Sequence, residues 1–413
     1  MRAVFEGLFD RVRPPFEEGG KFRWAWPLHE GAETFFLTPG EKTESGAHVR
    51  DQMDMKRLMI FVVYALVPCI LMGWYNIGNQ AFLAEGLANQ TWMDCLIRGG
   101  TAMFPIIMVS YMAGGAAELL FCIVRDHEIN EGFLVTGILF PLTLPPTIPL
   151  WMVAAGIIFG VVIGKEVFGG VGMNILNPAL TARAFVFFTY PAEISGAKIW
   201  DVAGPQAGQG HIANQWFGTN GAALSVDAYS GATPLLATAN GPAGGDSVAI
   251  LAQNNWGWMD MFMGSIPGSM GEVSAAAAIV GAMFLVVTRI ASLRIMVGAV
   301  LGVVAMASLL NVLAGPESVA MMTLPPHYHL VMGGFAFGAV FMATDPCSSA
   351  ATPRGRWIYG FMIGVLVVII RVLNPAYPEG TMLAILFMNV FAPLIDHYVV
   401  KASTRRRIAR MAA

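Results

Sequence analysis

The sequence predicts an all-α polytopic membrane protein with about ten transmembrane helices in two inverted five-helix repeats. Three observations carry that prediction. Of the 413 residues, 56% are hydrophobic and only 12% charged, whereas a soluble domain carries roughly 25% charged residues, so a water-facing surface of this size cannot be dressed. Apolar stretches of membrane length recur from residue 58 onward. An odd number of them stands on either side of one long polar segment, which makes the two halves insert with opposite topology. A net charge of -3 makes no case for nucleic acid.

Residues 1–57 differ from the rest, with nine Lys/Arg and ten Asp/Glu alternating with Pro14-Pro15, Gly19-Gly20 and the aromatics Trp24, Trp26, Phe35 and Phe36. No uninterrupted apolar run follows a basic start, so the segment is no secretory signal. It is expected to be a cytoplasmic amino-terminal extension with short helices. The first repeat, 58–190, holds apolar stretches at 58–77, 102–124, 134–144, 149–168 and 177–190. Within it, Leu144-Pro145-Pro146-Thr147-Ile148-Pro149 cannot continue a helix, because proline lacks the donor and clashes with the preceding turn. Two short helices meeting at a tight turn is the simplest expectation there. Residues 191–272 form a long polar segment with Lys198 alone against six acids. The second repeat, 273–400, holds stretches at 274–288, 295–313, 329–344, 357–373 and 381–400, and 401–413 is a basic tail.

Basic residues set the orientation. Lys401, Arg405, Arg406, Arg407 and Arg410 crowd the tail, and the connections near Arg125, Arg289–Arg294 and Arg354–Arg356 are also basic. Both termini are therefore expected in the cytoplasm, with 191–272 as a periplasmic loop. Two fragments echo each other between the halves: Leu144-Pro145-Pro146 with Leu324-Pro325-Pro326, and Asn177-Pro178 with Asp345-Pro346.

Ionisable groups inside apolar stretches are costly and mark pathways or cofactor pockets. The candidates are Glu118, Lys165-Glu166, Arg183, Asp345, Arg371 and Asp396. Lys165 and Glu166 stand near a cytoplasmic end, where they either snorkel or pair. Arg371 stands near the outer end of its helix and has the same two options. Glu118 follows Gly114 and Gly115, which open a helix face to close approach. For Asp345 and Asp396, helix capping and interhelical hydrogen bonding compete with a binding role. Cys69, Cys95, Cys122 and Cys347 show neither zinc nor cluster spacing, so any redox chemistry needs a non-cysteine cofactor.

Gly169-Gly170-Val171-Gly172-Met173-Asn174-Ile175-Leu176-Asn177-Pro178 combines glycines, which let backbone approach a flat ligand, with amides that match a ring of mixed donors and acceptors. A flavin has such an edge, although Gly-Asn-Pro is also ordinary turn chemistry. In the polar segment, Ser230-Gly231-Ala232-Thr233-Pro234 holds a threonine extended before proline, with its hydroxyl accessible. Taken alone, that describes an exposed turn.

The combination of Ser230-Gly231-Ala232-Thr233, Asn130-Glu131-Gly132-Phe133, Leu144-Pro145-Pro146-Thr147, Asn177-Pro178-Ala179, Ile266-Pro267-Gly268-Ser269, Gly271-Glu272-Val273-Ser274, Ala343-Thr344-Asp345-Pro346 and Asn374-Pro375-Ala376-Tyr377-Pro378-Glu379-Gly380 is specific. It resembles the B subunits of sodium-translocating NADH:quinone oxidoreductases, a family related to the D subunit of the Rnf complex. The extension, with His48-Val49-Arg50-Asp51, fits the B subunits better than the shorter Rnf protein. The likeness covers essentially the whole chain; a Gly-, Ala- and Gln-rich stretch at 202–226 departs from it as an insertion.

The resemblance implies covalent FMN in phosphoester linkage on Thr233, and non-covalent riboflavin near Thr136, Asn174, Asn177 and Asp345. It implies reduction of ubiquinone near Gly114 and Gly115, with Phe133, Ile138 and Phe159 as walls, and sodium uptake involving Glu118 and Asp396. It further implies a bacterial inner membrane and a multi-subunit respiratory complex, including an FMN-carrying periplasmic subunit and an NADH-oxidising subunit. The NADH site itself is not expected on this chain, since no G-x-G-x-x-G follows a strand. A non-redox secondary transporter with the same bundle, or a purely structural anchor, are the rival classes. The threonine motif argues against the first, and the buried ionisable groups against the second.

Overall fold

A computed structural model describes residues 2–17, 20–37, 55–86, 90–125, 132–196, 200, 232–374 and 377–412. The described residues form helices and turns, without strands. His48–Asp51, Asn130-Glu131, the 202–226 stretch and Ser230-Gly231 of the threonine motif lie outside them.

The extension contains α1 (Arg2–Val12) and α2 (Trp26–Phe36). They are drawn together by Arg13–Glu33 at 3.2 Å and by His29, whose ring stands against Phe9, Phe16 and Trp26. The short helices expected there are present. The first membrane set is α3 (Met55–Ala84), α4 (Trp92–Arg125), α5 (Gly132–Leu142), α6 (Leu150–Gly164) and α7 (Pro178–Thr189). Four short helices follow: α8 (Pro191–Ile194), α9 (Pro234–Ala239), α10 (Ser247–Gln253) and α11 (Trp258–Met263). The second set is α12 (Ala275–Val287), α13 (Leu293–Leu313), the broken pair α14 (Pro326–Val331) and α15 (Phe335–Phe337, continued by a π turn to Met342), α16 (Pro353–Leu373) and α17 (Thr381–Ala412).

The expected ten crossings resolve, among the described residues, into six helices long and apolar enough to span a bilayer, together with shorter apolar ones. The short ones are viable because protein, not lipid, receives their ends. At the close of α5, Gly271 N donates to Leu142 O at 2.7 Å and Met270 N to Leu144 O at 3.1 Å. The turn required by Leu144-Pro145-Pro146 is therefore sealed by the segment leading into α12. Long helices overrun their apolar stretches: α4 begins at Trp92, where Thr91 and Asp94 cap each other, and α17 carries the basic tail on as helix because no residue there breaks it.

Glycine permits a close crossing of α13 and α16. Gly298 and Gly302 of α13 face Gly360 and Gly364 of α16, and a side chain at Gly302 or Gly364 would collide with the backbone carbonyl of Phe361 or Ala299. Each helix thus presents a small-x-x-x-small stripe to the other.

The proline echoes fall differently from expectation. Leu144-Pro145-Pro146 follows α5, whereas Leu324-Pro325-Pro326 leads into α14; Asn177-Pro178 precedes α7, whereas Asp345-Pro346 follows α15.

Candidate functional site

Two cavities occupy the bundle, one opening beside the 191–272 segment and one at the end where α3 begins. They share α7. Arg183 at its middle and Phe187 nearer its end line the loop-side cavity, while Asn177 and Pro178 at its start line the other. The helix is capped by the Asn177 side chain, which accepts from Ala179 N at 3.0 Å and Leu180 N at 3.2 Å, and Pro178 occupies its first position, where a missing N–H costs nothing.

The loop-side cavity and its open mouth together span about 760 Å³. Phe187, Ile194, Trp200, Leu235, Leu236, Ile266 and Val273 give it apolar walls, and Thr233 stands on its rim. Thr233 caps α9, accepting from Leu236 N at 3.2 Å, and is half-buried. An oxygen acting only as acceptor in that bond keeps it when its proton is replaced by a phosphoryl group. The polar floor is an Arg183 guanidinium held by Glu272 at 3.0 Å and Glu379 at 3.2 Å, with Tyr377 donating to Glu379 at 3.0 Å. Gly334 lies directly against both carboxylates, leaving no room for a side chain there. Arg371, allowed either to snorkel or to pair on sequence grounds, is buried and donates to three carbonyls, His329 O, Met332 O and Glu379 O, which clamps the break between α14 and α15.

The second cavity and its open mouth together span about 720 Å³. The four positions expected to hold riboflavin, Thr136, Asn174, Asn177 and Asp345, all line it. Gly169, Gly170 and Gly172 each have φ between 89° and 117°, so the loop that delivers Val171 and Asn174 to the wall demands glycine. Asn174 accepts from Gly172 N at 3.3 Å and donates to Leu176 O at 3.0 Å. Asp345 accepts from Ser348 at 2.7 Å and from Cys347 N at 3.2 Å. Leu58, Met59, Val62, Val135, Leu139 and Phe341 supply apolar surface. A mostly apolar cavity with a few convergent amides and one carboxylate suits a flat heteroaromatic ring.

Of the expected quinone-site residues, Gly114, Gly115 and Phe133 come together. A side chain at Gly114 would fall 2.6 Å from the Phe133 ring and 2.7 Å from Ile157, while one at Gly115 would meet that ring at 3.5 Å, an ordinary contact. Tyr111 meets Phe133 edge-on. Ile138 is buried further along α5. Phe159 does not join them: it lies roughly 200° around α6 from Ile157 and stacks on Phe185 at 4.3 Å.

The two expected sodium-path acids are separate and both engaged. Glu118 forms an ion pair with Lys165 at 2.7 Å. Thr352 caps α16, accepting from Gly355 N at 3.1 Å, and Asp396 braces that cap, accepting from Ala351 N at 2.6 Å, Thr352 N at 3.0 Å and the Thr352 hydroxyl at 2.5 Å. Lys165 pairs, with Glu118 and with Glu166 at 3.3 Å, rather than snorkelling. Sequence reasoning assigned no role to Glu272 or Glu379. Their signal was a carboxylate placed just ahead of an apolar helix, α12 or α17, inside motifs otherwise built from small residues.

The family model described as "NQR2, RnfD, RnfE family" matches residues 42–405. The chain is 46% identical, over 98% of both chains, to the B subunit of the Na(+)-translocating NADH-quinone reductase of Pseudomonas paraeruginosa. It is 45% identical, again over 98% of both, to the protein of that name from Klebsiella pneumoniae, and 46% identical to that of Azotobacter vinelandii over 98% of this chain and 99% of the relative.

Proposed function

The chain belongs to the NQR2, RnfD, RnfE family, and from that premise we propose that it is the flavin- and quinone-carrying membrane subunit of a sodium-pumping NADH:ubiquinone oxidoreductase. In this reading FMN is attached to Thr233 at the loop-side cavity, and riboflavin is held in the other by Thr136, Asn174, Asn177 and Asp345. Ubiquinone is bound beside Gly114, Gly115, Phe133 and Ile138, and Phe159 contributes only to the outer surface of that region. When bound, the two flavins supply reversible uptake and release of electrons.

The residues' own work follows from their chemistry. Thr233 offers a hydroxyl fixed by its capping bond. Arg183, pinned between Glu272 and Glu379, places a fixed positive charge on the floor below it. Asn174 and Asn177 present amide edges beside Asp345, and the apolar walls exclude water. Glu118 supplies the oxygen and charge that a hard cation seeks. The basic tail and the acidic 191–272 segment support cytoplasmic termini; the family supports a bacterial inner membrane, a periplasmic FMN-carrying partner and an NADH-oxidising partner in the complex.

One observation carries the reading: four residues singled out for one ring converge on a single cavity at one end of α7, and Thr233 borders the cavity at the other. The test is direct. The complex, co-expressed with a flavin-attaching enzyme, is run on a denaturing gel, and the supernatant of acid precipitation is assayed for free flavin. A fluorescent band at the mass of this chain together with extractable riboflavin is expected; a dark band removes the FMN assignment, and a flavin-free supernatant removes riboflavin.

A further inference from the structure

Lys165 belongs to two sites at once. Its ammonium stands between carboxylates from different elements, 2.7 Å from Glu118 of α4 and 3.3 Å from Glu166 in the turn after α6, with all three residues buried. The same residue lines the cavity that holds Thr136, Asn174, Asn177 and Asp345. It sits where α6 ends, at φ -131 and ψ -60, so its stem leaves the helix at the junction between cavity and carboxylate pair.

Charge balance gives this position its meaning. Glu118 and Glu166 carry two negative charges, and Lys165 and Arg125 two positive ones. Arg125 is fixed elsewhere: it reaches Glu166 Oε2 at 3.5 Å, donates to Glu166 O at 2.7 Å, lies over the Phe121 ring and is partly exposed. The Lys165 charge is thus the mobile one, a compact ammonium on a flexible four-carbon stem. Withdrawing it leaves a buried carboxylate uncompensated, which is costly. Withdrawal therefore requires a replacement cation at the carboxylates and an attraction on the cavity side.

We propose that Lys165 is the resident cation of a Glu118–Glu166 site and exchanges there for one sodium ion when negative charge in the adjoining cavity draws its ammonium inward. The proposal rests on the reading of that cavity as a redox cofactor site. The exchange is one positive charge for one, with no bond made or broken beyond ion pairs. Lys165 acts as a positioning residue. Linkage makes the effect reciprocal: negative charge in the cavity raises sodium affinity by the same factor by which sodium favours that charge.

The experiment uses the assembled complex without turnover, with sodium binding measured by equilibrium dialysis in oxidised and dithionite-reduced states. The wild type is expected to bind sodium at least about tenfold more tightly when reduced. Lys165→Gln is expected to bind it tightly in both states, and Lys165→Gln combined with Glu118→Gln, which removes both charges, weakly in both. Equal affinities in the two wild-type states, or a Lys165→Gln complex that retains the wild-type difference, overturns the proposal. If Lys165→Gln fails to assemble, the wild-type comparison decides. Free flavin is extracted from the same samples. Its absence strikes the cavity assignment alone, because tighter resting sodium binding in Lys165→Gln still supports the exchange and unchanged binding still overturns it.

Discussion

Arg183 donates to Glu272 across 3.0 Å, a buried bond between residues 89 apart that ties α7 to the segment entering α12. Glu379, ahead of α17, holds the other side of the same guanidinium. Three separate regions of the chain therefore meet at one cation, and their common point is the floor of the loop-side cavity.

Removing that cation leaves two carboxylates facing each other in a dry site. Arg183→Met is expected to lower the stability of the fold by about 3–5 kcal/mol. Thermal unfolding of the detergent-solubilised complex measures it. Adding Glu272→Gln should recover part of the loss, and an Arg183→Met complex as stable as wild type would show that the ion pairs carry no weight.

Substitution separates the cap that Thr233 makes from the flavin linkage proposed for it. Thr233→Ala removes both hydroxyl and cap, costing about 1 kcal/mol locally and abolishing covalent flavin fluorescence. Thr233→Ser keeps the capping oxygen and is expected to retain fluorescence. Ser230→Ala should be fluorescent; if it is dark while Thr233→Ala still glows, the bond lies on the serine.

Adjacent glycines on α4 should behave differently. Gly114→Ala drives a methyl group into Phe133 and Ile157, so it is expected to alter the KM for ubiquinone several-fold while flavin content stays constant. Gly115→Ala meets the same ring at 3.5 Å and should be close to silent. Steady-state kinetics with a soluble quinone distinguishes them, and equal effects would place the quinone elsewhere.

Asp396 braces the turn that caps α16, where Thr352 is the cap. Asp396→Asn has a single acceptor oxygen and keeps only part of these bonds, whereas Asp396→Ala loses them all and should cost about 1–2 kcal/mol. If sodium dependence of activity is lost in both variants, the carboxylate charge acts on the ion. If it survives in Asp396→Asn, bracing the turn accounts for the residue.

Much of this was legible in the sequence because the signals are local. Scarce charge located the membrane segments, and Pro145-Pro146 marked the end of α5. The glycine and asparagine run before α7 pointed to a cavity wall. What stayed hidden depends on tertiary meeting. Glu272 and Glu379 acquire a role only because Arg183 arrives from another element, and Lys165 because α4 brings Glu118 to it. Phe159 was placed with Phe133 on aromatic character alone, but helix phase turns it to the other face. Asp396 looked like an isolated intramembrane acid until the turn before α16 brought Ala351 N and Thr352 N to it.

Both cavities take wall residues from one 12-residue helix: Asn177 stands at its start, and Arg183 and Phe187 follow about 9 and 15 Å along the axis. That helix works as a spacer with a fixed phase. Inserting one residue between Asn177 and Arg183 turns everything beyond it by about 100°, carrying Arg183 off its carboxylates and Phe187 off the loop-side wall while Asn177 keeps its place. The number of residues between Asn177 and Arg183 is thus as constrained as their identities.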